Sequence, residues 1–251
     1  MTSAWAGGSR AIVYLAWGAD FVDRAIASAM SAGFLALPRI LLTDAAQAER
    51  GRASGAFEIV RAFDPGNWDH LCKCRIIDFL PQGFDTFLYL DADTVVLGDP
   101  GFGFEKAERH GVAVSPAPKY NLAHYGKFDD VLRAADARVA PQLVYNSGVI
   151  FFNLSQPVRD LFRHWERLAE SMGRPLGYLR DQPFFALAAE QRGFNPYVLP
   201  PVYNYRGYGE VAAGDVLIWH SHRPPPQDLN LYSERDSRRR YLDGARVPFR
   251  Q

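Results

Sequence analysis

The sequence has few cysteines, few lysines and no long hydrophobic stretch, and each shortage excludes a class of protein. Only two cysteines occur among 251 residues, Cys72 and Cys74. Two thiols cannot form a structural zinc site alone, and a disulfide between residues so close together is geometrically unfavourable. Both cysteines are therefore predicted to be reduced structural residues, as is usual in the cytoplasm.

The chain contains no stretch of about 18 apolar residues, so the sequence predicts no segment that spans a membrane. Residues 1–10 are small and polar and lack the apolar region of a secretory signal. We therefore expect a cytoplasmic protein that contacts a membrane at most peripherally. The tail from Arg223 has seven arginines against four acidic residues. We interpret it as a solvated charge run, with binding to an anionic membrane surface as the alternative.

Charge of one sign is not in excess either, because 28 basic residues balance 28 acidic residues. A dedicated nucleic-acid-binding protein usually carries a basic surplus, so no nucleic-acid partner is expected. Lysine supplies only four of the basic residues, at positions 73, 106, 119 and 127. Apolar residues make up 48% of the chain, which is enough for a hydrophobic core and excludes a disordered or fibrous protein.

Short apolar stretches alternate with helical patterns, which predicts an α/β fold with a mostly parallel sheet. Strands are predicted at residues 11–17, 39–42, 57–60, 87–90, 112–115, 149–153 and 216–219. Helices are predicted at residues 21–32, 67–80, 158–172 and 181–191, the first with an apolar stripe of Val22, Ile26, Ala29 and Met30. Residues 120–138 show no clear period. Since no linker divides the chain, we expect one domain with halves at residues 11–100 and 101–226 and a surface tail at residues 227–251.

Two carboxylates, Asp91 and Asp93, directly follow the apolar strand predicted at residues 87–90. Residues i and i+2 of an extended chain point the same way, so both carboxylates would lie at the carboxyl end of a strand, where open α/β sheets bind ligands. Like charges held together repel, and a divalent cation with oxygen ligands, Mg²⁺ or Mn²⁺, relieves that repulsion. We therefore predict a metal site here; a solvated turn is the alternative.

Two enzyme classes carry this pattern. The stretch DADTV at residues 91–95 fits the first motif of HAD-type phosphatases, in which Asp91 would be the phosphorylated nucleophile. That motif normally lies on the first strand of the fold, whereas at least three predicted strands precede Asp91. A phosphatase also needs a late lysine and a late acidic pair, for which Lys119 with Asp129 and Asp130 is the only candidate set. Metal-dependent glycosyltransferases of the GT-A type, in which several nucleotide-binding βα units come first, fit this position better.

A series of motifs favours the second class. The chain contains KCRIID at residues 73–78, FLYLDADTVVL at 87–97, YNSGVIFFN at 145–153, DQ at 181–182, YNY at 203–205 and IWH at 218–220. In this order they resemble glycosyltransferase family 8, the family of glycogenin and of bacterial lipopolysaccharide galactosyl- and glucosyltransferases. The resemblance extends over residues 11–226. It implies a GT-A fold, with a mostly parallel Rossmann-like sheet flanked by helices and a small antiparallel element near the active site.

The resemblance implies retaining transfer of a hexosyl group from a nucleotide sugar, most often a UDP sugar, with Mn²⁺ (or Mg²⁺) as cofactor. The first half would bind the nucleotide, and the second half the sugar and a saccharide, lipid-linked or other hydroxyl acceptor. The implied metal ligands are Asp91, Asp93 and His220, and Asp91 would also bind the ribose. The chemistry agrees, because a diphosphate and two carboxylates need a cation between them. Without the resemblance, a lone histidine such as His220 would be read as a structural residue.

Further donor contacts are implied before the metal site. Lys73 would reach the donor, with a solvated helix face as the alternative. The end of the first strand would frame the base through Leu15, Ala16 and the stacking ring of Phe21, although Phe21 could instead belong to the core of the following helix. Trp17 stands where a small residue is usual, a difference that would reshape the base pocket.

The second half supplies the implied reaction centre. Asn146 and Ser147, placed before a predicted strand, would bind the donor through sugar hydroxyls, and Asp181 and Gln182 would contact the transferred sugar. Asp181 could instead cap the helix that it begins. Two retaining routes remain open: Asp181 forms a glycosyl-enzyme intermediate, or the leaving diphosphate takes the acceptor's proton on the same face.

The end of the match departs from the family pattern. The family commonly has His-x-x-Gly-x-x-Lys-Pro-Trp, whereas this chain has HSHRP at residues 220–224 and lacks both the glycine and the lysine. Arg223 or His222 is the predicted replacement for the lysine that binds the diphosphate. The departure also leaves open a non-catalytic protein that binds the donor without turnover. Residues 177–179 lack an aspartate that glycogenin-like chains carry, so self-glucosylation is not expected.

Overall fold

The computed structural model describes residues 9–66, 69–117, 122, 125–137, 143–207, 215–226 and 229. Lys119 and nearly all of the predicted surface tail lie outside the described residues. Within the described residues, no helix is both long enough and apolar enough to cross a bilayer. Cys72 and Cys74 are free thiols buried in the core.

The strands form one large and one small sheet. In chain order they are β1 (Arg10–Leu15), β2 (Arg39–Thr43), β3 (Ile59–Ala62), β4 (Thr86–Leu90), β5 (Thr94–Val96), β6 (Val112–Pro116), β7 (Tyr145–Asn153), β8 (Tyr197–Val198) and β9 (Ile218–His220). The large sheet has the order β3-β2-β1-β4-β7-β6-β8, and β5 pairs with β9 in the small one. β3, β2, β1 and β4 are parallel, as are β6 and β8, whereas β7 is antiparallel to both of its neighbours. The predicted mostly parallel sheet is confirmed.

Helical segments cover both faces of the large sheet. They are α1 (Ala19–Ser31), α2 (Ala48–Ala53), α3 (Ile76–Phe79), α4 (Gly101–His110), α5 (Phe128–Ala134), α6 (Gln156–Leu168) and α7 (Asp181–Gln191), with 3-10 helices at Asp69–Arg75, Arg174–Leu176 and Pro201–Tyr203 and a π-helical turn at Ala169–Gly173. Alternate residues of the central strands enter two cores, one with α6 and α7 and the other with α1 and α4. Strands buried on both faces read as continuous apolar stretches, which is why the sequence marks them clearly.

The antiparallel pairing of β7 with β4 positions the site. Leu90, the last residue of β4, lies opposite Val149, so the beginning of β7 extends past the carboxyl end of β4. The Asp91 backbone N–H donates a hydrogen bond to the Gly148 carbonyl at 2.8 Å. The small antiparallel sheet then brings His220 opposite Thr94, one residue after Asp93. The small antiparallel element predicted near the active site is therefore confirmed.

Several local predictions are wrong. Residues Asp69–Arg75 form a 3-10 helix, and only Ile76–Phe79 of the helix predicted at 67–80 are α-helical. Residues 71–74 are all buried, so no exposed face alternates with a buried one in this segment. The helical spacing of its apolar residues therefore did not reflect an amphipathic α-helix. Met30 is 65% exposed, because the buried stripe of α1 runs through Val22, Ala25, Ser28 and Ala29 instead. The aperiodic stretch at 120–138 contains α5.

The strand containing the Asn-Ser-Gly motif is longer than predicted. β7 begins at Tyr145, so Asn146 and Ser147 lie within the strand and not before it. The strand was predicted to begin only at residue 149, because the polar residues before it do not continue the apolar pattern. Both residues are nevertheless buried, and Asn146 Oδ1 accepts a hydrogen bond from the Gly148 N–H.

Candidate active site

A cleft of about 370 Å³ opens at the carboxyl ends of β1 and β4. This is where a parallel α/β sheet presents its ligand-binding loops. The structure brings eight of the residues predicted from the sequence to its wall: Leu15, Ala16, Phe21, Lys73, Asp91, Asp93, Asp181 and His220. Asn146, Ser147, Gln182 and Arg223 do not line it.

Asp91 lies at the centre of a charged cluster beside this cleft. Its Oδ1 atom accepts a hydrogen bond from the Tyr89 hydroxyl at 2.5 Å and lies 2.9 Å from Lys73 Nζ. Burial disfavours the carboxylate, but Lys73, His220 and Tyr89 outweigh it and lower the pKa of Asp91. Burial and then the nearby Asp91 raise the pKa of Tyr89, so its phenol stays protonated and can donate. Asp91 is thus held as a carboxylate whose Oδ2 atom faces away from Lys73.

Three potential metal-ligand atoms converge next to Asp91. His220 Nε2 lies 3.2 Å from Asp93 Oδ1 and 3.6 Å from Asp91 Oδ2. Neighbouring oxygen and nitrogen ligands of one octahedral Mg²⁺ or Mn²⁺ ion are separated by about 3 Å, since each lies roughly 2.1 Å from the metal. Burial opposes the charge of Asp93, but His220 and His222 lower its pKa to about 2. Asp91, Asp93 and His220 therefore fit a divalent cation in geometry, charge and donor type.

Gly148 allows β7 to approach this group. A Cβ atom on Gly148 would lie 2.0 Å from His220 Cε1 and 2.7 Å from Asp91 Oδ2. Both distances are far below a normal van der Waals contact. The close approach of β7 therefore requires glycine at this position.

Lys73 links the metal cluster to Asp181. Its Nζ atom lies 2.9 Å from Asp91 Oδ1 and 3.0 Å from Asp181 Oδ2, and it donates to the Ser147 carbonyl at 3.1 Å. Burial lowers the pKa of Lys73, but Asp181 and Asp91 outweigh it, so the pKa is raised and the amine stays charged. The amine is therefore held by two carboxylates and one backbone carbonyl. The alternative of a solvated helix face for Lys73 is wrong.

Asp181 does not cap α7. The capping position is Arg180, and no side chain caps the helix there. The Asp181 carboxylate points into the cleft toward Lys73, while its backbone carbonyl accepts a hydrogen bond from Trp165 Nε1 at 3.0 Å. The carboxylate is therefore placed for a role in the cleft.

Asn146, Ser147 and Gln182 stabilise the wall from behind. Asn146 Oδ1 accepts a hydrogen bond from the Gly148 N–H at 2.9 Å, and Gln182 Oε1 accepts one from the Ser147 N–H at 3.2 Å. All three side chains are buried. In this structure they fix the backbone of β7 next to the cluster.

The opposite wall of the cleft is apolar and aromatic. Leu15 ends β1 and Ala16 follows it, and Gly18, with φ of +73°, turns the chain into α1. Phe21 is 50% exposed and lines the cleft, so it does not belong to the helix core. Trp17 also lines the cleft and packs edge-on against Phe63 at 6.0 Å between ring centres. Trp17 is thus part of this wall, and its effect on the base pocket stays a prediction.

Arg223 lies outside the cleft, whereas His222 lines it. The Arg223 side chain is exposed, and its carbonyl accepts a hydrogen bond from Trp219 Nε1. His222 Nδ1 lies 3.3 Å from Asp93 Oδ2 and 3.3 Å from an Arg24 guanidinium nitrogen. The cleft is also lined by four residues that were not predicted from the sequence: Arg24, His70, Tyr89 and Arg206. Only Tyr89 had a usable signal, since it lies two residues before Asp91 and shares its face of the strand.

The acidic pair that a phosphatase would need is elsewhere. Asp129 and Asp130 lie on α5 and pair with the exposed Arg133. Neither lines the cleft, and Asp91 follows the fourth strand of the chain. The features required by the phosphatase alternative are therefore not assembled among the described residues.

Comparisons with known proteins agree with this architecture. The sequence matches no protein-family model and no curated protein. Mouse xyloside xylosyltransferase 1, in its apo form, is similar over 87% of this chain and 100% of its own, with 17% identity and a TM-score of 0.61. An active-site mutant of LgtC is similar over 93% of this chain and 95% of its own, with 15% identity and a TM-score of 0.59.

A third similar structure is the apo form of the glycosyltransferase GlyE from Streptococcus pneumoniae TIGR4. It matches 90% of this chain and 57% of its own, with 19% identity and a TM-score of 0.57. These structures are GT-A glycosyltransferases, as the resemblance to family 8 implied. At such low identity the likeness establishes the fold. The protein therefore has the fold of the GT-A glycosyltransferases.

Proposed function

We propose that this protein is a retaining glycosyltransferase that moves a hexosyl group from a UDP sugar to a hydroxyl acceptor with the help of a divalent cation. The observation that carries the proposal is the convergence of Asp91, Asp93 and His220 beside Asp181 in one cleft. That convergence lies at the ligand-binding edge of a GT-A fold. Its chemistry suits an anionic leaving group better than a neutral one.

Asp91, Asp93 and His220 would hold the cation, Mn²⁺ or Mg²⁺. A bound cation would act as a Lewis acid that stabilises negative charge on the departing diphosphate. The two aspartates keep their charge at neutral pH because their pKa values are lowered. The mixed nitrogen and oxygen donor set favours Mn²⁺ over Mg²⁺, since imidazole suits transition metals.

The apolar wall would receive the uracil base. Leu15 and Ala16 would contribute apolar contacts, and the exposed ring of Phe21 would supply a stacking surface. Stacking of a base on an aromatic ring contributes about 1–3 kcal/mol. Asp91, next to the end of β1, is also positioned for the ribose.

We assign the diphosphate to Arg24 and His222, with Arg223 remaining a prediction. Lys73 is fully engaged by Asp91, Asp181 and a carbonyl, so its charge is already balanced. Arg24 lines the same cleft, next to His222 and Asp93. A guanidinium can donate two parallel hydrogen bonds to phosphate oxygens, which suits Arg24 to this role.

Asp181 would lie at the reaction centre, whereas Gln182 and Asn146, which do not line the cleft, would support the wall around the transferred sugar. Lys73 Nζ lies 3.0 Å from Asp181 Oδ2, and this ion pair would hold the carboxylate in place as a nucleophile toward the anomeric carbon. In the same-face route, Asp181 would instead stabilise positive charge on the sugar, and the diphosphate would accept the acceptor's proton. The cleft is compatible with either route. The acceptor would be a hydroxyl group of a saccharide or of a lipid-linked molecule. We also propose a cytoplasmic location for the protein.

Calorimetry and turnover assays test the proposal. Wild-type protein is expected to bind UDP only weakly without metal and at least tenfold more tightly with Mn²⁺, and to release UDP from at least one UDP sugar. Asp93→Asn should lose the metal-dependent gain, whereas Asp129→Asn, on the exposed face of α5, should not. Failure of every UDP sugar to bind would refute the proposal. Mn²⁺-dependent binding without any turnover would support the non-catalytic alternative.

A further inference from the structure

Asn204 holds the side of His220 that faces away from the predicted metal. Its Oδ1 atom lies 2.8 Å from His220 Nδ1, and both side chains are buried, with 5% and 3% exposure. The YNY motif at residues 203–205 was part of the resemblance, but no role followed for its asparagine. The functional site described above does not use it either.

The backbone around Asn204 is fixed against β9. The Tyr205 N–H donates to the Ile218 carbonyl, and the His220 N–H donates to the Tyr205 carbonyl, each at 2.9 Å. On the preceding side, the Leu217 N–H donates to the Val202 carbonyl at 2.9 Å. Asn204 therefore cannot drift relative to His220 without breaking these bonds.

The hydrogen bond selects one tautomer of the imidazole. An amide oxygen only accepts, so His220 Nδ1 must carry the proton. In neutral imidazole Nε2 then carries a lone pair, and it faces Asp93 Oδ1 and Asp91 Oδ2 at 3.2 and 3.6 Å. A divalent cation bound among these three atoms would keep the imidazole neutral and accept the Nε2 lone pair. Histidine metal ligands generally have such a partner on the other ring nitrogen, which fixes the ring and its tautomer.

We infer that Asn204 is a positioning residue: by accepting a hydrogen bond from the Nδ1–H group, it presents the Nε2 lone pair of His220 to a divalent cation. This inference rests on the proposed metal-assisted function and extends it to a residue outside the cleft wall. A purely structural role is less consistent with the contacts, because Asn204 Nδ2 is buried without a hydrogen-bond partner among the described residues. The amide oxygen is the atom that this position uses.

Mn²⁺ binding, measured without any sugar donor, tests the inference. Titrations followed by electron paramagnetic resonance give the affinity, and the nitrogen hyperfine coupling of bound Mn²⁺ reports whether His220 is a ligand. Asn204→Leu has similar size but accepts no hydrogen bond, so the Mn²⁺ affinity should fall by about 10–100-fold and the nitrogen coupling should weaken. Asn204→Asp retains an acceptor and should stay within a few-fold of wild type.

A matched control separates positioning from general stability. Asn153 is another partly buried asparagine, whose Nδ2 atom donates to the Ala107 carbonyl at 3.0 Å, far along β7 from the cluster. Asn153→Leu should lower the unfolding temperature while leaving Mn²⁺ affinity and nitrogen coupling unchanged. If Asn204→Leu does not fold, the comparison of Asn204→Asp with Asn204→Ser, which is too short to reach Nδ1, replaces it.

The outcomes separate this inference from the proposed function. Wild-type binding of Mn²⁺ together with undiminished binding by Asn204→Leu, or by Asn204→Ser where it stands in, would overturn the role of Asn204 alone. Asn204→Asp losing as much Mn²⁺ affinity as Asn204→Leu, or as Asn204→Ser where it stands in, would also overturn it. Absence of Mn²⁺ binding by wild-type protein would overturn both the inference and the metal-assisted function.

Discussion

Adding a single methyl group at Gly148 should disrupt the metal cluster. The new Cβ would lie 2.0 Å from His220 Cε1 and 2.7 Å from Asp91 Oδ2, whereas carbon atoms in contact are normally about 3.5–4.0 Å apart. Relief therefore requires a movement of more than 1 Å. His220 has little room for it, because Asn204 lies at 2.8 Å on the other side of the ring.

The expected result follows from that displacement. Misplacement of a reacting group by about 1 Å can reduce activity by about 10²-fold. We therefore expect Gly148→Ala to weaken Mn²⁺ binding by at least tenfold and to reduce turnover of the UDP sugar on the order of 10²-fold. Overpacking should also cost about 1–3 kcal/mol of unfolding free energy. Each kcal/mol lowers the unfolding temperature by about 2–4 °C in a protein of this size.

Gly103→Ala is the matched control. Its Cβ would lie 2.5–2.7 Å from the Phe151 ring, in the core between α4 and β7 and away from the cleft. This variant should lose comparable stability but keep the Mn²⁺ affinity of wild type. A Gly148→Ala protein that is folded and binds Mn²⁺ as tightly as wild type would refute the assignment of the cluster.

Three further variants probe the rest of the cleft. Lys73→Met leaves two carboxylates without their cation and should lower the free energy of unfolding by about 3–5 kcal/mol. Adding Asp181→Asn should restore part of that free energy in a double-mutant cycle measured by chemical unfolding. Arg24→Ala should weaken UDP binding about tenfold, or ~1.4 kcal/mol, without changing uridine binding, whereas Arg52→Ala on α2 should change neither in calorimetry. Phe21→Ala should weaken uridine and UDP binding equally, by about 1–3 kcal/mol; an effect confined to UDP would contradict a stacking role.

The metal cluster could be predicted because its signals are local. Asp91 and Asp93 share one direction after a fully apolar strand, and that pattern places them at a sheet edge without further information. His220 was found through the resemblance, because nothing in its own neighbourhood distinguishes a ligand from a structural histidine. The bounds of α7 followed from a similarly local pattern.

The remaining contacts depend on distant parts of the chain. Lys73 was expected to reach the donor, but its bridge between Asp91 and Asp181 requires the 3-10 helix, β4 and α7 to meet. Arg24 and Asn204 likewise had no role that their own segments could predict. Arg24 reaches the cleft because α1 packs beside it, and Asn204 contacts His220 because its segment packs against β9. The burial of β7 was underestimated because polar residues begin it, and their hydrogen-bond partners lie elsewhere in the sequence.

Proton NMR of UDP sugars incubated with the protein tests the central claim most directly. With Mn²⁺ and a panel of simple saccharide acceptors, at least one UDP hexose should be consumed, and the new anomeric signal should have the same configuration as the donor. Chelation of the metal, or the Asp93→Asn substitution, should stop the reaction. Consumption that continues unchanged after chelation and substitution, or a product of inverted configuration, would contradict a metal-assisted retaining transferase.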